Sequence, residues 1–169
     1  MRAAPGGSAV CNALLWSPHS IASRSSASWR SALAGVICDP AAAARAHAAG
    51  EGASVDLSLG AGTGTPGESP LAARFKVIAL GDGRFTGTGP FYWGARFELG
   101  PMALLELGGV RIAVASRKQQ AADQAMFRHL RVEPADYAVL ALKSSVHFRA
   151  DFGPIASRVL VVEAPGPNV

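Results

Sequence analysis

Cysteine, charged residues and long apolar runs are all scarce in this chain. Its 169 residues include two cysteines, Cys11 and Cys38, too few for a disulfide framework, so we expect a reducing, cytoplasmic setting. No apolar run approaches the roughly 18 residues that a membrane-spanning helix needs, and no membrane partner is expected. Charged residues make up 17% of the chain, below the usual quarter, which leaves small neutral residues to form much of the surface.

The positive charge is concentrated at the start of the chain. The net charge is +4, and residues 1–30 hold three arginines and no acidic residue. Residues 31–169 therefore keep 13 basic against 12 acidic residues and are nearly neutral. Because the body has no basic stripe or arginine-rich helix, a nucleic-acid partner is disfavoured.

Residues 1–30 also differ from the rest in being rich in Ser, Ala and Arg. This composition resembles an organellar transit peptide. It equally suits a stretch translated outside the natural frame or from a wrong start, which is the interpretation we favour. We therefore divide the chain into an atypical segment at 1–30, disordered or out of frame, and one folded domain at 31–169.

From residue 31 onward the pattern predicts a single mixed-sheet α/β domain, in which strand–helix units flank an antiparallel meander. Asp39 and Pro40 follow a short apolar strand at 33–38 and favour the start of a helix that Gly50 ends. Further strands are predicted at 54–59, 71–80, 95–99, 103–107, 110–115, 137–142 and 158–162, and helices at 121–130 and from about 147.

The apolar run at 137–142 predicts a buried strand that stops abruptly in polar residues. Ligands of open α/β sheets bind just beyond the carboxyl ends of the strands, which is where this cluster falls. The cluster offers an ammonium, two hydroxyls, an imidazole and a guanidinium to an anionic or carbonyl-bearing ligand. Its members are Lys143, Ser144, Ser145, His147 and Arg149. A structural alternative makes Arg149 and Asp151 a surface pair and His147 a helix cap.

A second candidate, Arg117, follows the predicted strand at 110–115. If this strand lies in the same sheet as 137–142 and points the same way, Arg117 and His147 are expected to converge. Sequence alone favours the other interpretation, a solvated basic turn at 116–118.

Familiar catalytic and metal motifs are missing. The four histidines form no HxH, HExxH or Cys/His pair at ligand spacing, so no metal residue is predicted. There is no GxSxG, and the Gly-rich stretch at 60–69 lacks the Lys-Ser of a phosphate loop and predicts a flexible loop. Ser145 and His147 are too close in sequence to favour a nucleophile–base pair.

Five blocks of sequence stand out, and the most specific is Lys-Ser-Ser-Val-His-Phe-Arg at 143–149. The others are Val36–Pro40, Asp82–Phe85, Gly108–Arg117 and Ala164–Gly166. In this order they resemble the C-terminal domain of the microcystinase C (MlrC) family of zinc metallopeptidases, over residues 31–169. The Asp-Asn-Pro-Gly-Gly-Gly segment of the family is reduced here to Ala-Ala-Pro-Gly-Gly-Ser at 3–8, which supports a truncated or frame-shifted product.

The resemblance implies a longer peptidase whose metal ligands belong to an N-terminal domain that this sequence does not contain. Zinc is then expected in the complete enzyme and none in this chain, which is expected to be inactive alone. The implied partners are a peptide substrate and that N-terminal domain. Lys143, His147, Arg149 and Arg117 are expected to face the cleft, binding a substrate carboxylate or carbonyl and stabilising an oxyanion. The alternative is a non-catalytic module that binds a small ligand or a separately encoded partner.

Overall fold

The computed structural model describes the backbone at residues 9–16, 32–60 and 69–165, and the side chains within 32–60 and 69–162. Ten strands and three short helices form its framework. The strands are β1 Ala9–Trp16, β2 Ala32–Cys38, β3 Ser54–Leu59, β4 Leu71–Gly81, β5 Arg84–Thr86, β6 Arg96–Glu98, β7 Met102–Leu107, β8 Val110–Ala115, β9 Val139–Leu142 and β10 Arg158–Pro165. The helices are α1 Pro40–Ala49, α2 Ala125–Arg128 and α3 Phe148–Phe152, with 3₁₀ turns at Pro134–Asp136 and Gly153–Ile155.

Eight of the strands form one mixed sheet in the order β10-β1-β9-β2-β8-β7-β4-β3. At its centre β2 pairs in parallel with both β8 and β9. The remaining pairs of this sheet are antiparallel. The strands β5 and β6 form a separate antiparallel ribbon. The predicted mixed-sheet α/β domain is therefore confirmed.

The β2–α1 unit follows from local signals in the sequence. The Asp39 carboxylate accepts the Ala42 backbone N–H at 2.9 Å, and Pro40 occupies the first turn, where its missing N–H costs nothing. The same carboxylate accepts the Gly60 N–H at 3.0 Å, which ties the end of β3 to the start of the helix. Gly50 ends α1 with its N–H bonded to the Ala46 carbonyl.

Alternation along the strands divides the core into two clusters, one on each face of the sheet. Along β8, Ile112 and Val114 face one cluster while Ala113 and Ala115 face the other. The small residues of α1 cover the first cluster, which is why an alanine-rich helix suffices there. The second cluster is filled by aromatic residues from the segments after β8 and β9: Phe127, Phe148 and Phe152.

The sequence prediction is wrong about the extent of one helix and omits two strands. The predicted helix at 121–130 is reduced to α2, because the Ala121 N–H bonds to the Lys143 carbonyl and the Asp123 carboxylate takes the Ala125 N–H. The strands β1 and β5 were not predicted. Residues 1–8, 17–31 and 61–68 lie outside the described residues, so the boundary at residue 30 and the flexible loop remain predictions. The segment 9–16, within the atypical region, forms β1.

A histidine links α2 to the turn between β4 and β5. The His129 Nε2 accepts the Gly83 N–H at 2.9 Å and lies 3.3 Å from the Asp82 carboxylate. Burial lowers the pKa of His129 below its ordinary value of 6.5, and Asp82 opposes this shift. The folded state therefore binds fewer protons than the unfolded state as the pH falls through that value.

We expect the free energy of unfolding to decrease as the pH falls from about 7.5 to about 5.5, and to decrease less in the variant His129→Gln. The physical reason is that protonation removes the lone pair that accepts the Gly83 N–H. Denaturant unfolding at several pH values measures the slope of the free energy of unfolding against pH. Asp82→Asn, which removes the opposing charge, should steepen it. A slope unchanged in His129→Gln would contradict the assignment.

Candidate functional site

Three parallel strands end at the same edge of the sheet and deliver the polar segments there. Since β8 and β9 both run parallel to β2, their carboxyl ends share one edge. Asp39 follows β2, the segment 116–124 follows β8, and the segment 143–147 follows β9. The predicted strands at 110–115 and 137–142 therefore lie in one sheet and point the same way. This is the condition under which Arg117 and His147 are expected to converge.

Gln120 connects the segments that follow β8 and β9. Its Oε1 lies 3.1 Å from Ser144 Oγ and 3.3 Å from His147 Nδ1. Ser144 is buried, while His147 is half-buried. The backbone reinforces this connection, because the Lys143 N–H bonds to the Gly35 carbonyl and the Lys143 carbonyl accepts the Ala121 N–H, each at 3.0 Å.

An aromatic loop at 87–94, between β5 and β6, packs against His147. The Phe91 ring stacks on the His147 imidazole with centroids 3.9 Å apart and planes within 15°. Tyr92 contacts Phe91 edge to face and accepts a hydrogen bond from Gln119 Nε2 to its hydroxyl at 2.7 Å. The loop therefore fixes the plane of the histidine ring.

A fully buried carboxylate anchors the same loop. Asp123 is 0% exposed, and its two oxygens accept the Gly89 N–H at 2.9 Å and the Ala125 N–H at 2.8 Å. The Thr88 hydroxyl lies 3.5 Å from the same carboxylate. Asp123 thus joins the aromatic loop to the start of α2 through backbone donors that would otherwise be buried without an acceptor.

The structure does not pair Arg149 with Asp151, and the His147 side chain caps no helix. The Asp151 carboxylate accepts the Gln124 N–H at 2.6 Å and also binds the Gln124 side-chain amide. Arg149 lies over the Phe148 ring, with its guanidinium carbon 5.2 Å from the ring centroid, and is exposed. His147 begins α3 without a side-chain cap hydrogen bond.

Arg117 lies at the same edge but points toward β6. Its guanidinium donates to the Glu98 carbonyl at 3.0 Å, and its side chain is 67% exposed. Within the described residues Arg117 shares no hydrogen bond or ion pair with His147. The structure thus brings Ser144 and His147 together through Gln120, with Lys143 adjacent in the chain, and leaves Arg117 and Arg149 exposed.

Sequence reasoning missed Gln120 and Phe91, which hold His147 in place. Gln120 lies three residues after Arg117, past the end of the same strand, so its place at this edge follows from the sequence in the same way. A neutral amide has no charge that would mark it as a candidate binding residue, however, and its two partners lie 24 and 27 residues further along the chain. Phe91 lies in a Gly- and aromatic-rich stretch at 85–93 whose composition does not indicate which residue it contacts.

In the described part of the chain, no group of three or more His, Cys, Asp or Glu side chains is placed to hold a metal ion. None of the described helices has both the length and the apolar character required to cross a membrane.

The chain matches a known protein family along nearly its whole length. The family model described as "MlrC C-terminus" matches residues 5–168. The chain belongs to the MlrC C-terminus family. This MlrC C-terminus domain is 33% identical over 128 residues to microcystinase C from Sphingomonas sp, covering 76% of the chain and 24% of that relative.

A solved structure shares the fold of this MlrC C-terminus domain. It is the crystal structure of a protein from Mesorhizobium sp. BNC1 that has been described as a candidate metallopeptidase. The two are 28% identical with a TM-score of 0.68, over 75% of the chain and 25% of the crystallised protein. The chain thus spans about a quarter of the length of each relative.

Proposed function

We propose that this domain is the C-terminal part of an MlrC-type zinc metallopeptidase, and that the carboxyl edge of β2, β8 and β9 lines one side of its peptide cleft. The observation that carries the proposal is the junction of Gln120, Ser144 and His147 at that edge. Sheets of this kind bind ligands at such an edge. Membership of the family and the metallopeptidase relative supply the reaction class.

The described residues do not fit a zinc site, because they contain no group of metal-ligating side chains. We place the zinc ligands in an N-terminal domain outside this sequence, as the short coverage of both relatives supports. We also place the protein in the cytoplasm, on its scarcity of cysteine.

The proposed role of the edge is to bind and orient the peptide. Lys143, Arg149 and Arg117 supply positive charge for a substrate carboxylate or carbonyl and for the oxyanion that develops during cleavage. His147 lies between Lys143 and Arg149 in the chain, and its ring plane is fixed by Phe91. A group held in one orientation before the substrate arrives loses little entropy on binding.

The decisive experiment uses a full-length family member carrying the change equivalent to His147→Ala. We expect kcat/KM for peptide cleavage to fall by about a hundredfold, because the edge loses a positioned polar group. The matched control is the equivalent of His47→Ala. His47 lies in the last turn of α1, which packs on the other face of the sheet from α3, and it bonds to the Met102 carbonyl. Undiminished cleavage in the His147 variant would overturn the proposal.

The isolated chain provides the second arm of that experiment. Purified protein is expected to hold no stoichiometric zinc and to cleave no peptide, whether measured before or after chelation. One tightly held zinc ion per chain, or peptide cleavage by the chain alone, would refute our placement of the metal ligands.

A non-catalytic module is the alternative function, and one observation favours it. Three large apolar side chains of the aromatic loop and of the residue before His147 are exposed: Phe91 at 45%, Trp93 at 78% and Val146 at 59%. Such residues are typical of a surface that binds a partner. The full-length experiment separates the two functions, because a partner-binding surface predicts that His147→Ala leaves the rate of cleavage unchanged.

A further inference from the structure

The Gln120 side chain contacts both Ser144 and His147 at the carboxyl edge of the sheet. The Gln120 Oε1 contacts Ser144 Oγ at 3.1 Å and His147 Nδ1 at 3.3 Å. A side-chain amide oxygen only accepts hydrogen bonds, so each of these two partners must present a hydrogen to it. A neutral imidazole has a single N–H group, and the contact with Gln120 requires that hydrogen on Nδ1.

We infer that Gln120 is a positioning residue that holds neutral His147 as the Nδ1–H tautomer and leaves Nε2 as an acceptor. Of the two ring nitrogens, Nδ1 is the one that hydrogen-bonds within the described residues. The stacked Phe91 fixes the ring plane, so Gln120 and Phe91 together determine the direction of the Nε2 lone pair. That Nε2 acts on a substrate rests on the proposed function.

This tautomer narrows the chemistry of the group that His147 meets. A neutral imidazole with its hydrogen on Nδ1 cannot donate to a carbonyl or carboxylate through Nε2. A group that hydrogen-bonds to Nε2 must therefore carry a hydrogen, as a peptide N–H, an amine or a water molecule does. The carbonyl and carboxylate groups of the peptide are left to the cationic side chains, Lys143 and Arg149. His147 thus accepts hydrogen bonds from the N–H groups of the peptide, whereas Lys143 and Arg149 donate hydrogen bonds to its carbonyl and carboxylate oxygens.

The tautomer is measured directly on this chain by long-range ¹H–¹⁵N spectra of the histidine rings above neutral pH. His147 is expected to show a protonated-type Nδ1 and a lone-pair-type Nε2. Two other histidines serve as internal references. His47 Nε2 lies 2.9 Å from the Met102 carbonyl and must carry its hydrogen there, whereas His129 Nε2 accepts the Gly83 N–H. A hydrogen on Nε2 of His147 in the unmodified chain would overturn the inference.

Variants at two neighbouring glutamines test the cause. Gln120→Met removes the acceptor while keeping the side-chain length, and His147 should shift to a mixture of both tautomers. Gln119→Met is the matched control, because Gln119 bonds to the Tyr92 hydroxyl and should leave the His147 tautomer unchanged. Gln120→Glu, another acceptor, should preserve the Nδ1–H form. An unchanged tautomer in a folded Gln120→Met variant would show that Gln120 does not set it.

A full-length family member tests the role in catalysis. The equivalent of Gln120→Met should lower kcat/KM by about tenfold, as the loss of an orienting partner commonly does. The equivalent of Gln120→Glu should move the acidic limb of the kcat/KM profile to higher pH, which a purely structural role would not do. If His147→Ala retained full activity while the chain showed the Nδ1–H form, the proposed function would fail and the tautomer assignment would stand.

Discussion

Replacing Gly83 with alanine is expected to lower the free energy of unfolding by roughly 3 to 5 kcal/mol, a large fraction of the stability of an ordinary domain. Two separate costs add at this position. Its φ is +75°, in the left-handed region that a residue with a Cβ adopts only at a penalty. A Cβ there would also lie 2.0 Å from the Gly100 carbonyl oxygen, a backbone atom that cannot rotate away.

The neighbours of Gly83 prevent the turn from relaxing. Its N–H donates to His129 Nε2 and its carbonyl accepts the Leu99 N–H, each at 2.9 Å. A shift large enough to accommodate a methyl group would break one of these bonds. The cost is therefore expected in stability, measured by denaturant unfolding, rather than in a local adjustment.

The matched control is Gly94→Ala. Gly94 has the same φ of +75°, but no heavy atom lies within 4 Å of the Cβ that alanine would add. It should cost about 1 to 2 kcal/mol, the backbone penalty alone. Gly83→Asn separates the backbone penalty from the steric clash with Gly100, because asparagine tolerates positive φ but still carries the Cβ. Equal losses at Gly83 and Gly94 would show that the contact with Gly100 contributes nothing.

Local signals explain which parts of the fold the sequence predicts. Asp39 and Gly50 delimit α1 through hydrogen bonds to Ala42 and Ala46, three and four positions away, and Pro40 suits its first turn, so the β2–α1 unit is predicted correctly. The apolar run before Lys143 predicts β9 and the edge at which it ends. Each of these features depends on composition within a few residues.

Long-range pairing explains what the sequence does not show. The strand β1 is held by pairs with β9 and β10, at the far end of the chain, and its own segment carries no comparable signal. The predicted helix at 121–130 has helical spacing of apolar residues, but Ala121 bonds to Lys143 instead of continuing a helix. Gln120 was missed for the same reason, since its two partners come from the segment after β9.

The second large effect is expected from Asp123→Ala, which should lower the free energy of unfolding by about 3 kcal/mol. The substitution leaves the Gly89 and Ala125 N–H groups without their acceptor in a buried site, and each such donor costs roughly 1 to 3 kcal/mol. Denaturant unfolding measures the loss. Because Gly89 lies in the loop that carries Phe91, the Gly89 amide should also exchange faster, and the His147 ring signals should shift as the stacking loosens.

Two further variants show whether the unpaired Gly89 and Ala125 N–H groups cause the loss of stability. Asp123→Asn keeps one acceptor oxygen at nearly the same volume and should lose less stability than alanine. Asp56→Ala removes an exposed aspartate of β3 and should change stability by less than about 0.5 kcal/mol. If Asp123→Ala destabilised the fold but left the His147 signals in place, the loop would be held over the histidine by Tyr92 and Gln119 alone. If it did neither, the buried carboxylate would have no role in either fold or site.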